Sequence, residues 1–271
     1  MDLAVRTLQR YSEDDAGSYA AALTYYTFFA IFPLLLFGAA ILGYLTFGNQ
    51  ELKADIFDAA VDAVPLIRSS LRSDVLDVIE ANRRTIALTG IALAFYTGTG
   101  VIVALGHALD RIYRCEDEGN FIQKRVRALR WLLTLGLAAV GSLILTGLAG
   151  WLDAPIAKIV SYLGGFTVNV FIFTTAFKFL PAKRLSWGDV WVGAVMAAVG
   201  FELVKVLGAV YLTRGASARA EAFGTLAGAA TLLVAAYLIS QVTLLAAEVN
   251  AAIAERRATR AQQVIGDGEA R

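Results

Sequence analysis

Six stretches of this chain run for about twenty residues or more with few charges, and that limits its folds more than anything else in it. A helix of about 20 residues crosses a hydrocarbon core of about 30 Å. The runs lie near Ala20–Phe47, Ile86–Leu109, Trp131–Leu152, Ile159–Leu180, Val190–Leu212 and Phe223–Ile253. Hydrophobic residues make up 58% of the 271 positions and charged residues 17%, whereas a soluble domain is about half apolar and a quarter charged. The chain therefore reads as all-α, a polytopic membrane protein with six transmembrane helices in one membrane domain over residues 20–253. No internal repeat is visible, so the inverted-repeat logic of many transporters does not apply here.

Residues 1–19 precede the first span. The opening "MDLAVRTLQRYSEDD" carries acids and has no apolar core, which argues against a cleavable signal peptide. Ala4, Leu8 and Tyr11 share one helical face and predict a short amphipathic surface helix. With the N-terminus inside, the cytoplasmic segments hold 14 Lys and Arg and the outer segments 8. That bias puts both termini in the cytoplasm, including a polar, frayed tail over 254–271. The long first outer loop, 48–85, contains two amphipathic patterns, Leu52/Ile56/Ala60/Val64 and Leu71/Val75/Val78, broken at Pro65. Two helices there would lie on the outer membrane face or cap the bundle. The later loops are short, so consecutive spans are expected to be antiparallel neighbours.

Several polar groups interrupt the spans. Pro33, near the middle of the first, removes a backbone hydrogen bond and predicts a kink or break, which at membrane depth lines a binding cavity or serves packing. Tyr25 and Tyr26 lie one to two turns earlier and suit either an aromatic belt or a substrate path. In the sixth span Tyr237, Gln241 and Glu248 share a face, with Asn250 just off it. Such a stripe should face protein or a wet cavity, and Glu248 and Tyr26 are expected to border a common one. Lys178 ends the fourth span at a similar depth and is expected to pair with Glu248. In "GFELVKVLG" (200–208) Glu202 and Lys205 stand three residues apart on one face of the fifth span. Both should face the interior and compensate each other, as a structural ion pair or as a substrate or proton site, because a charge at that depth costs about 2.5–3.5 kcal/mol. Glycines such as Gly193 and Gly200 read first as packing positions that let helices approach closely.

Enzyme chemistry finds no footing in these residues. The single cysteine, Cys115, excludes an intrachain disulfide and a thiolate metal cluster within the chain. The single histidine, His107, cannot make a two-histidine zinc site, and it reads as a hydrogen-bonded residue at a helix end. "TGTGVIVALG" lacks the lysine and the strand-to-helix setting of a phosphate loop. No catalytic, metal or cofactor-binding residues are assigned, and no cofactor is expected. A net charge of +1 and the lack of a basic stripe interleaved with aromatics give no reason to expect a nucleic-acid partner.

Four stretches together resemble the YihY/BrkB family of bacterial inner-membrane proteins. They are "AALTYYTFFAIFPLLLF", "ALGHALDRIYR", "LPAKRLSWGDVWVGAVMAAVGFELVKVLGAVYL" and "FGTLAGAATLLVAAYLISQVTLLAAEVNAAI". Asn is usual in the family at the place of Asp110, and Ala246 stands where it often has glycine. The resemblance implies a six-span fold in the bacterial inner membrane. Family members have been suggested to act as transporters, and a ribonuclease name has also been attached to them. The expected function is a transporter or lipid-handling permease with membrane lipids as surroundings and a small-molecule or lipid substrate, and the alternative is a non-transporting scaffold or envelope-integrity protein. The dispersed acids oppose the ribonuclease name, since a nuclease clusters carboxylates or histidines beside a basic surface.

Overall fold

The computed structural model describes residues 3–45, 83–115, 120, 122–134, 154–183, 185–213 and 227–269, and among these every regular element is an α-helix. The helices are α1 (Leu3–Glu13), α2 (Ala16–Leu45), α3 (Arg83–Ile112), α4 (122–134), α5 (Ala154–Phe179), α6 (Trp187–Thr213) and α7 (Ala227–Glu269). Three stretches within them, Leu88–Ile112, Trp187–Gly208 and Gly228–Arg260, are long and apolar enough to cross a membrane. The rest of the third expected span and nearly all of the outer loop 48–85 lie outside the described residues.

Two helices are more continuous than their sequences suggest. The polar composition predicts fraying from residue 254, but α7 continues to Glu269. Its sequence beyond Ile253 is rich in Ala, Arg, Glu and Gln, which are strong helix formers. Arg257 also ties it to the start of α6, donating to the Gly188 carbonyl at 3.0 Å and approaching Asp189 at 3.4 Å. The other case is Pro33, which is buried inside a helix that runs unbroken from Ala16 to Leu45.

The chain divides into two compact units. One comprises Met1–Ala22, Ile102–Leu203 and Ile239–Arg271; the other comprises Leu23–Val101 and Val204–Leu238. In the first unit α6 and α7 are antiparallel, with Gly188 beside Arg257, Gly193 beside Asn250 and Gly200 beside Val242. Gly193 and Gly200 are two turns apart on one face. A methyl group on Gly193 would overlap the Ala246 carbonyl oxygen, and one on Gly200 would overlap Val242 Cγ1. Ala194, Ala197, Ala246 and Ala247 are buried in the same core, so this pair of helices is held together by small residues. The packing reading of the two glycines therefore holds.

Helix α5 packs antiparallel on α6 through Asn169 with Glu202, Phe173 with Phe201, and Lys178 with Leu185. In the second unit Tyr25, Tyr26 and Phe29 form an exposed aromatic cluster, and the Tyr26 ring lies over Gly100. Leu88, Leu93, Leu203 and Leu207 are also exposed on long helices. Such apolar surface is costly in water and ordinary against lipid.

Candidate functional site: a buried arginine–glutamate cluster

Residues 13–15 turn the chain between α1 and α2, with Asp15 in the left-handed region at φ 53°. Aspartate tolerates that conformation, and its carboxylate accepts from Ser18 Oγ at 2.9 Å. α1 thereby presents Thr7, Arg10 and Asp14 to the first unit, and all three are buried. On the apolar face of this surface helix, made of Ala4, Leu8 and Tyr11, Leu8 is 63% exposed and Ala4 is exposed too. Only Tyr11 turns inward, where its hydroxyl hydrogen-bonds to Gln241 Oε1 on α7. The polar stripe wins because the surface beneath it is polar: a helix terminus and two glutamates.

That terminus belongs to α3. Arg114, at φ 52°, stands where glycine usually ends a helix, and two reverse bonds close the turn, Cys115 N–H to the Asp110 carbonyl (2.8 Å) and Arg114 N–H to the Arg111 carbonyl (3.1 Å). The Ile112 carbonyl accepts a 2.7 Å bond from Arg10 Nη2. A cation there also suits the negative end of the helix dipole.

Arg10, only 4% exposed, uses its other nitrogens on α7. Nε donates to Glu248 Oε2 at 3.1 Å and Nη1 to Glu255 Oε2 at 3.3 Å, while Nη2 also lies 3.5 Å from Asp14 Oδ2. Around this core Arg6 pairs with Glu255 (2.8 Å) and Glu13 (3.5 Å), Arg111 with Asp14 (3.8 Å), and Arg114 with Glu13 (3.8 Å). The Glu255 bond raises the Arg6 guanidinium above its ordinary value, against a smaller opposing effect of desolvation. Four guanidinium groups thus meet four carboxylates, all named above. Glu248 has no exposure, and its Oε1 has no hydrogen-bond partner among the described residues; the same is true of Asp14 Oδ2.

Two residues further along α7, Asn250 faces α6. Its Oδ1 accepts from Gly193 N–H at 2.6 Å, and its Nδ2 donates to the Val190 carbonyl at 3.1 Å and more weakly to Tyr113 Oη at 3.4 Å. The glycine is what admits it, since a Cβ on Gly193 would lie 2.5 Å from Asn250 Nδ2. Burial pushes the Tyr113 hydroxyl above its ordinary value, so it stays protonated. Asp110 also joins two elements, for its Oδ1 accepts from Ala182 N–H at 2.7 Å and pins the α5–α6 loop to α3. An asparagine carbonyl could do the same.

Lys178 does not pair with Glu248. It donates to the Leu185 carbonyl at 2.8 Å, and its ammonium sits 4.6 Å from the Trp187 ring centre, while Arg10 takes Glu248. Depth along the membrane normal says nothing about direction around a helix, and Lys178 points to the α5–α6 loop. Glu202 is half-buried and accepts from Asn169 Nδ2 at 2.8 Å, so it does contact another span. Lys205 does not face the interior as expected but is exposed, as are Val206 and Leu207. Tyr25 and Tyr26 are exposed, whereas Glu248 is wholly enclosed by its packing. Arg10 is the residue that sequence reasoning missed. The signal for it was that Glu248, near the inner end of a span, needs a cation from another element, and the helix just before the first span carries Arg6 and Arg10.

Among the described residues no three His, Cys, Asp or Glu side chains are placed so as to hold a metal ion. The architecture defines a helical membrane protein with a buried ionic cluster joining α1, α3 and α7. The chain belongs to the family described as Virulence factor BrkB, which it matches over residues 7–267. It is similar to the inner membrane protein YhjD of Escherichia coli K12, 25% identical over 90% of this chain and 78% of that protein. It is also similar to the ribonuclease-like protein YfkH of Bacillus subtilis 168, 24% identical over 92% and 94%. A UPF0761 membrane protein of Albidiferax ferrireducens is 28% identical over 91% of this chain, which spans 61% of that relative. No solved structure matches the chain at a significant level.

Proposed function

We propose that the chain is a transporter or lipid-handling permease of the bacterial inner membrane, crossing six times with both termini in the cytoplasm and taking a small-molecule or lipid substrate. One observation carries this reading. Glu248 is fully buried on a helix apolar enough to cross a membrane, with one oxygen on Arg10 and the other without a hydrogen bond among the described residues. A half-satisfied buried carboxylate is costly, and ionisable groups within membrane helices usually mark a pathway for substrate or protons. In this reading the Arg10–Glu248 pair closes the inner end and opens during transport.

The alternative is a non-transporting scaffold or envelope-integrity protein. The balance of four guanidinium groups and four carboxylates favours it, because a charge-balanced network holds helices together without a ligand. The ribonuclease-like name of YfkH is not carried over, since the carboxylates that meet at the Arg10 cluster are matched by guanidinium groups and the net charge of the chain is +1.

The two readings separate in proteoliposomes carrying a trace of phospholipid with a dithionite-sensitive headgroup label. A lipid-handling permease exposes inner-leaflet label to dithionite added outside, and Glu248→Gln slows that exposure while the protein stays folded. Bleaching equal to that of protein-free vesicles, for both zwitterionic and anionic headgroups, would remove the lipid-handling reading.

A further inference from the structure

A small cavity lies in the first unit between the last turns of α3 and the start of α4, apart from the Arg10 cluster. One wall is basic: His107 from α3, with Lys124 and Arg127 from α4. Lys124 Nζ lies 3.3 Å from His107 Nε2, so the ammonium and the imidazole are already held side by side. Ala128 and Trp131 share the Lys124 face of α4 and, with Leu180, add apolar lining. Asp110 also borders the cavity, with one carboxylate oxygen engaged by Ala182 N–H.

The open space is about 30 Å³. Since one water needs roughly 10–15 Å³, the enclosed space holds about two waters or the head of a tetrahedral anion, and any group attached to that head lies outside it. An arginine fork and an ammonium are the groups that recognise phosphate oxygens.

We propose that His107, Lys124 and Arg127 form a binding site for a phosphate group, with the neighbouring apolar residues receiving whatever the phosphate is esterified to. Arginines and lysines at the ends of membrane helices are how anionic lipid headgroups are held, and the mixed lining suits a phosphodiester better than a free ion. The site does not rest on a transport function, because a scaffold can hold a structural lipid there as well.

The test uses the full chain in detergent, with two probes, dihexanoyl phosphatidylglycerol and inorganic phosphate, and dihexanoyl phosphatidylcholine as the zwitterionic comparison. Binding is read by calorimetry and folding by circular dichroism. The expected result is saturable binding of one phosphatidylglycerol per chain, weakened at least roughly tenfold in the Lys124→Gln/Arg127→Gln double variant. A second variant leaves every charge in place. Gly106 lines the cavity, and a Cβ added there meets nothing within 4 Å, so Gly106→Leu should fold and occupy the space. It should abolish binding.

Saturation by both probes supports the site, and saturation by the lipid alone assigns it to a headgroup. Saturation by inorganic phosphate alone assigns the same site to a soluble phosphate. The proposal is overturned if neither probe saturates, if folded Gly106→Leu binds as wild type does, or if phosphatidylcholine binds equally well and loss of the two charges changes nothing.

Discussion

Arg10 donates from each of its three guanidinium nitrogens, to Glu248, Glu255 and the Ile112 carbonyl, on two different helices. A lysine keeps the charge but brings one nitrogen, so it cannot serve all three acceptors from one position. Arg10→Lys is expected to cost roughly 1.5–3 kcal/mol, the value of a hydrogen bond involving a charged group. Unfolding in mixed detergent–dodecyl sulfate micelles would measure it. The partners of Arg10 show how far single residues are legible in advance. Gln241, Glu248 and Asn250 are visible because a polar stripe on an apolar helix stands out against its surroundings. Arg10 is not, because an arginine on a short amphipathic helix looks the same whether its partner is water or a buried glutamate. The pairing of Lys178 with Glu248 fails for a related reason: sequence gives the depth of a side chain but not its bearing around the helix axis.

Helices α2, α3, α5, α6 and α7 overlap the apolar runs, and stretches of α3, α6 and α7 are long and apolar enough to cross a membrane. Which face packs is another matter. On α1 the apolar side looks outward and the polar side packs, the reverse of a soluble amphipathic helix, since the neighbouring surface here is ionic. On α6 the packing face is signalled by Gly193 and Gly200, and the two should differ in tolerance. The atom nearest to an added methyl is the Ala246 carbonyl oxygen at Gly193 and the Val242 side chain at Gly200. Backbone cannot give way, whereas a valine can rotate or be replaced. Gly193→Ala is therefore expected to destabilise more than Gly200→Ala, which should cost about 1–3 kcal/mol. Adding Val242→Ala should restore much of the loss at Gly200, and its failure to do so in the same unfolding assay would count against the packing described here.

For the molecule as a whole, composition alone points to a helical membrane protein, since so apolar a chain could not keep its surface wet. Orientation rests on the distribution of basic residues. In a Cys115→Ser background, Asn120→Cys should be shielded from an impermeant maleimide added to intact cells, and Ala60→Cys should label. The opposite pattern would invert the topology. Central to the whole molecule is the clamp of α1 on the membrane bundle by a buried ion pair. Breaking such a pair from one side is expected to cost about 3–5 kcal/mol, because the other charge is left stranded. A double-mutant cycle on unfolding free energy, with Arg10→Ala, Glu248→Ala and both together, probes the clamp without intermediaries. If the pair holds α1 in place, the double variant is markedly less damaged than the sum of the singles, by at least about 1 kcal/mol. Effects that add to within about 0.5 kcal/mol would mean that Arg10 and Glu248 act independently and that no such clamp exists.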